Sequence, residues 1–143
     1  MSRPVAWWHL ARPRMVPFLL LLPFFGFAFA HWDRALEMRG GDGLLWVFAA
    51  WTLLNAGTMW LNAELDRDEG DVLLGRAVPV PTGTASAGYV ALLACVPVAW
   101  VGSPLSGAAA AVCAVLAVFY SHPALAWKGH PVGGPFVNVV GYG

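Results

Sequence analysis

The segment WLNAELDRDEGDVLLGR, Trp60 to Arg76, is where this chain concentrates residues that can do chemistry. Five carboxylates, Glu64, Asp66, Asp68, Glu69 and Asp71, fall within eight positions. Crowded carboxylates repel and raise one another's pKa values, and a bound divalent cation removes that cost. Carboxylate, amide and water oxygens suit Mg²⁺, which commonly takes one or two protein carboxylates together with phosphate oxygens of a substrate. The alternative is a solvated acidic loop. Asn62, four residues before Asp66 on an otherwise apolar helix, favours the metal. At helical spacing Thr52, Asn55, Asn62, Asp66 and Glu69 fall close to one face. Asparagine inside a membrane span is costly unless it has a partner or lines a cavity. The stripe is therefore expected to face the bundle interior, with its acidic end at the mouth. Gly70 is the expected helix end, which leaves Asp71 in the loop.

Two further polar islands follow. Arg76 can pair with phosphate or serve as a snorkelling interfacial charge, and the prolines of Pro79-Val80-Pro81-Thr82-Gly83 fix an extended turn behind it. The second island is YSHPALAWKGHP, Tyr120 to Pro131. Lys128, the sole lysine of the chain, can hold an anionic group or act as a plain topology signal. His122 and His130 flank prolines and read as interfacial residues. Cys95 and Cys113 lie inside apolar runs and read as small buried side chains, and no Cys or His spacing suggests zinc.

The elements that position these residues belong in a membrane. Of the 143 residues 59% are hydrophobic and 11% charged, and the mean hydropathy is +0.64, whereas soluble domains carry about 25% charged residues. Net charge is zero, so nucleic acid is not an expected partner. Apolar runs predict spans at about residues 15–32, 44–61, 85–101 and 105–120. A fifth run, 133–143, has too few residues to cross a bilayer as a helix, which needs about 20. The expectation is an all-α polytopic bundle, a single membrane domain over 1–143 with four full spans and a truncated fifth. Arg12, Arg14 and Ala28-Phe29-Ala30 give the first run a signal-peptide flavour. Its length and the three runs behind it favour a span.

Arg3, Arg12, Arg14, Arg67, Arg76 and Lys128 fall on one predicted side, and only Arg34 and Arg39 on the other. The positive-inside rule then places the N-terminus and the acidic block in the cytoplasm, with the chain in the inner (plasma) membrane of the cell. Trp32, Trp60, Trp100 and Trp127 sit near span ends, as interfacial anchors do.

With these residues in view, the chain resembles the UbiA-type intramembrane prenyltransferases. That family carries Asn-Asp-x-x-Asp-x-x-x-Asp at the end of its second helix, then Arg-Pro-x-Pro-Ser-Gly. Asn62 and Asp66 match the first Asn and the middle Asp, and Pro79, Pro81, Thr82 and Gly83 match the proline turn. Tyr120, Ser121, Pro123, Leu125 and Lys128 match the Tyr-Ser-x-Pro-Pro-Leu-x-x-Lys loop of the chlorophyll-synthase branch. Ala63, Gly70 and Val78 depart from the family residues at their positions, and Arg76 comes two residues early.

The resemblance implies a nine-helix fold of which this chain is the N-terminal half, with a second Asp-rich motif after the sixth helix. It implies Mg²⁺ held by Asn62, Asp66 and some of Asp68, Glu69 and Asp71. A diphosphate would be bound by Asn62, Arg76, Tyr120 and Lys128, with Asp66 and Lys128 catalytic. The implied reaction transfers a polyprenyl group from a prenyl diphosphate to an aromatic or other lipophilic acceptor. Two rivals stand beside it. One is a non-catalytic membrane fragment or paralogue lacking the second motif. The other is a small cation carrier using the Asn55–Asn62–Asp66 stripe.

Overall fold

The computed structural model describes residues 1–34, 43–66, 78–125 and 127–142, and among them every regular element is helical. The helices are α1 (Arg3–Leu10), α2 (Val16–Ala30), α3 (Leu44–Leu65), α4 (Thr84–Gly102), α5 (Pro104–Ser121) and α6 (Gly133–Tyr142). Four helical stretches are long and apolar enough to cross a membrane: Arg3–Ala30, which includes both α1 and α2, and α3, α4 and α5. Large apolar side chains such as Phe29, Leu45, Leu93 and Leu105 are well over two-thirds exposed. Such a surface has its solvent in lipid, and the chain is an integral membrane protein.

The spans fall close to where hydropathy put them, with one correction. The segment ahead of Met15, outside the first expected span, is itself helical over Arg3–Leu10. The path breaks at Arg12, whose φ of 50° is left-handed. Pro13 explains the break, since the residue before a proline is driven out of the α region. A short 3-10 turn over Pro13–Met15 then leads into α2.

α3 and α4 form the most extensive helix pair, and small residues make it possible. A Cβ on Gly57 would sit 2.9 Å from the carbonyl oxygen of Gly88, and a Cβ on Gly88 would sit 2.9 Å from that of Gly57. The two backbones thus touch without side chains between them, the arrangement that gives membrane helices their dispersion contacts. Ala50, Leu61, Leu92, Cys95, Ala99, Ala110, Ala114 and Ala117 continue this core across α3, α4 and α5. One extended residue, Ser103, joins α4 to α5. Its hydroxyl accepts the N–H of Ser106 at 3.0 Å, and Pro104 starts the helix where no N–H is needed.

α1 is tied to this frame by polar bonds. The Trp60 indole donates to the Trp7 carbonyl (2.8 Å), and the Trp7 indole donates to the Thr84 hydroxyl (3.0 Å). The Asn55 amide donates to the Ala11 carbonyl (3.0 Å). The Asn55 bond reaches the carbonyl of Ala11, the residue that caps the short helix, while the Trp60 bond adds a second donor to the Trp7 carbonyl, which already accepts the Ala11 N–H.

Candidate functional site

The site begins at the C-terminal end of α3. Asn62 and Asp66 are four residues apart, so they share a face, and Asp66 caps the helix by donating its backbone N–H to the Asn62 carbonyl. The Asn62 side-chain oxygen accepts a hydrogen bond from the hydroxyl of Ser121, the last residue of α5. Ser121 is 3% exposed, and this bond answers the cost of an amide within a span. One turn further along α3, Asp66 Oδ1 lies 2.5 Å from Lys128 Nζ; the Asp66 side chain is 16% exposed and the lysine 40%. Two polar contacts therefore join the end of α3 to the last residue of α5 and to the segment that follows it.

The segment carrying Lys128 is held from both sides. Trp127 lies between Phe119 and Phe136, with ring centroids 5.1 and 6.2 Å away and both pairs edge-on. Gly133 is buried, and a Cβ there would come within 3.1 Å of Trp127. His130 Nδ1 accepts the backbone N–H groups of Val132 (3.2 Å) and Gly133 (3.0 Å), and His122 Nδ1 accepts that of Ala124 (3.2 Å). Both histidines are thus loop-capping groups. Trp127, expected as an interfacial anchor, packs between the Phe119 and Phe136 rings and is next in sequence to Lys128.

A cavity of about 240 Å³, reaching Asn62, opens between α2, α3, α5 and α6. Leu19, Leu22, Trp51, Leu54 and Leu116 give it apolar walls. Asn55, Asn62, Tyr120 and Asn138 bring polar groups to it. The expected polar stripe of α3 is therefore correct for Asn55 and Asn62. Thr52 is not part of it: its hydroxyl is exposed and donates back to the Phe48 carbonyl. Cys113 lines the cavity, while Cys95 is fully buried, and both are free thiols.

The acidic block divides. Glu64 turns away from the site and accepts the backbone N–H groups of Gly83 (3.4 Å) and Ala85, capping the start of α4. The N-terminal end of a helix favours such a charge. The sequence offered a sign of this role, because the Pro-Thr-Gly turn at Pro81–Gly83 marks a helix start that needs a cap. Asp68, Glu69, Asp71 and Arg76 lie outside the described residues. Among the described residues no three His, Cys, Asp or Glu side chains gather around a common point. The donors that are described, the Asp66 carboxylate and the Asn62 amide oxygen, are the hard oxygens that Mg²⁺ takes. Ala63, standing where the prenyltransferases have an aspartate, is buried, a place where a carboxylate would need its own partner.

Ser121 and Asn138 are site residues to which the sequence assigned no role. Ser121 stood inside the matched Tyr-Ser pair. Asn138 is the only amide in the last apolar run, and that isolation is itself a sign. No protein-family model matches the chain, and neither does any curated protein or solved structure.

Proposed function

We propose that this chain supplies the diphosphate-binding half-site of an intramembrane prenyltransferase of the UbiA type. The reaction is transfer of a polyprenyl group from a prenyl diphosphate to an aromatic or other lipophilic acceptor. One observation carries the reading. Asp66 pairs with Lys128, more than sixty positions away in the chain, one helical turn beyond Asn62, which lines an apolar cavity in a membrane protein. A lipid with a charged head requires that combination: oxygen donors and a cation at one end, hydrocarbon walls at the other.

Asn62 and Asp66, with Asp68, Glu69 and Asp71, are the residues that would hold Mg²⁺. When bound, the ion neutralises the charge that builds on the leaving diphosphate as the allylic C–O bond breaks. Lys128 and Arg76 give charge-assisted hydrogen bonds to the diphosphate oxygens, and the Tyr120 hydroxyl donates beside them. Leu19, Leu22, Leu54 and Leu116 keep water from the allylic carbon. Trp51 offers a ring face to the positive charge that develops there. The acceptor's nucleophile then bonds to that carbon. In this reading the acidic end of α3 faces the cytoplasm.

Binding of geranylgeranyl diphosphate to the purified chain, in Mg²⁺ and in EDTA, tests the proposal. Mg²⁺-dependent binding that falls more than tenfold in Asp66→Ala is the expected result. Binding that is indifferent to both EDTA and Asp66→Ala would remove the reading.

A further inference from the structure

Asp66 is asked to be two things, the partner of Lys128 and a ligand of a divalent cation. A carboxylate at the end of a membrane helix needs a counter-charge, and the lysine supplies one at 2.5 Å. The same oxygens cannot serve an ammonium and a metal ion equally well, because two cations at one carboxylate repel. Resting on the half-site reading above, we propose that Lys128 is a displaceable counter-ion of Asp66. It holds the carboxylate in the resting state, gives it up to the divalent cation, and moves to the diphosphate that arrives with that cation.

The surroundings of Lys128 suit an exchange by the side chain alone. Trp127, wedged between Phe119 and Phe136, fixes the backbone on one side. On the other side a Cβ on Gly134 would already press on the Lys128 carbonyl oxygen at 3.2 Å. The Lys128 side chain, by contrast, carries its ammonium on four methylenes and is 40% exposed, so it can swing at little cost. Asn62 does not need to move, because its side-chain oxygen keeps Ser121 through one lone pair and has a second to offer.

This exchange makes an unusual demand: removing the lysine should help the metal and harm the diphosphate. Mn²⁺, followed by the paramagnetic resonance of the free ion, is the probe, titrated into the detergent-solubilised chain with and without inorganic pyrophosphate. In Lys128→Met, Mn²⁺ alone should bind roughly fivefold more tightly than in the unaltered chain, the scale of a partly exposed ion pair. In the same variant the gain in Mn²⁺ binding produced by pyrophosphate should shrink. Lys128→Arg, which keeps the charge, should restore the original Mn²⁺ affinity. Equal or weaker Mn²⁺ binding in Lys128→Met would overturn the exchange while leaving the half-site intact. Mn²⁺ binding that Asp66→Asn does not diminish in any of these proteins would overturn the metal assignment, and the exchange with it.

Discussion

The α3–α4 seam and the acidic end of α3 are built on opposite terms. At the seam two glycines bring backbones into direct contact, and every neighbour is small or apolar. Nothing there has a valence to spare. At the acidic end the helices are held by a few bonds, Asn62 to Ser121, Asp66 to Lys128, and Glu64 to the start of α4. Shape holds the first region and charge holds the second. The lesson is that in this membrane protein the closest packing lies apart from the chemistry, since Asn62, Asp66 and Lys128, the groups that could bind a ligand, stand outside the glycine contact of α3 and α4.

The largest effect that could break this contrast lies at the seam. Gly88→Val places atoms where the Gly57 carbonyl and Leu61 already stand, and should destabilise the bundle by about 3 kcal/mol. Reversible unfolding in mixed micelles reads it, and an unchanged midpoint would mean the helices are not held by that contact. At the polar end Glu64→Ala should cost about 1.5 kcal/mol, through the loss of charged hydrogen bonds to Gly83 and Ala85. Mn²⁺ affinity in that variant should stay as it was, and a drop would add Glu64 to the ligand set. Ser121→Ala should cost about 1 kcal/mol by leaving the Asn62 oxygen without its donor. Smallest of all, Lys128→Met should change the unfolding free energy by less than about 1 kcal/mol, because its ion pair is partly exposed on the lysine side. A large stability loss there would erase the distinction between the two regions.

The spans were legible because hydrocarbon imposes length and composition so strictly. α3 through α5 lie within a few residues of the expected spans and α6 starts at Gly133 as expected, but α3 ends at Leu65, capped by Asp66, and not at Gly70. α1 was not legible. Its eight residues are too few to show a period, and tryptophan, histidine and arginine before a span also suit an unstructured basic flank. Within the site, the pairing of Asn62 with Asp66 followed from helical spacing alone. Which carboxylate serves structure did not follow, because Glu64 is singled out only by Gly83 and Ala85, about twenty positions later in the chain. The partners of Asn62 and Asp66 were hidden for the same reason. Ser121 and Lys128 reach them through the hairpin of α4 and α5, whose packing depends on shape and leaves little trace in composition.

The bonds around α1 also bear on how the chain assembles. The groups that receive this helix are Asn55 and Trp60 on α3 and Thr84 on α4, the last 77 positions away from Trp7. A nascent chain emerging from its N-terminus therefore makes α1 long before the groups that dock it. A helix made before α3 and α4 thus docks only after them. A deletion through Ala11 would remove no helix longer than eight residues, yet it would strip Asn55 and Trp60 of the acceptors they use and Thr84 of its donor. The opening residues are thus a clasp, closed only after α3 and the start of α4 are in position.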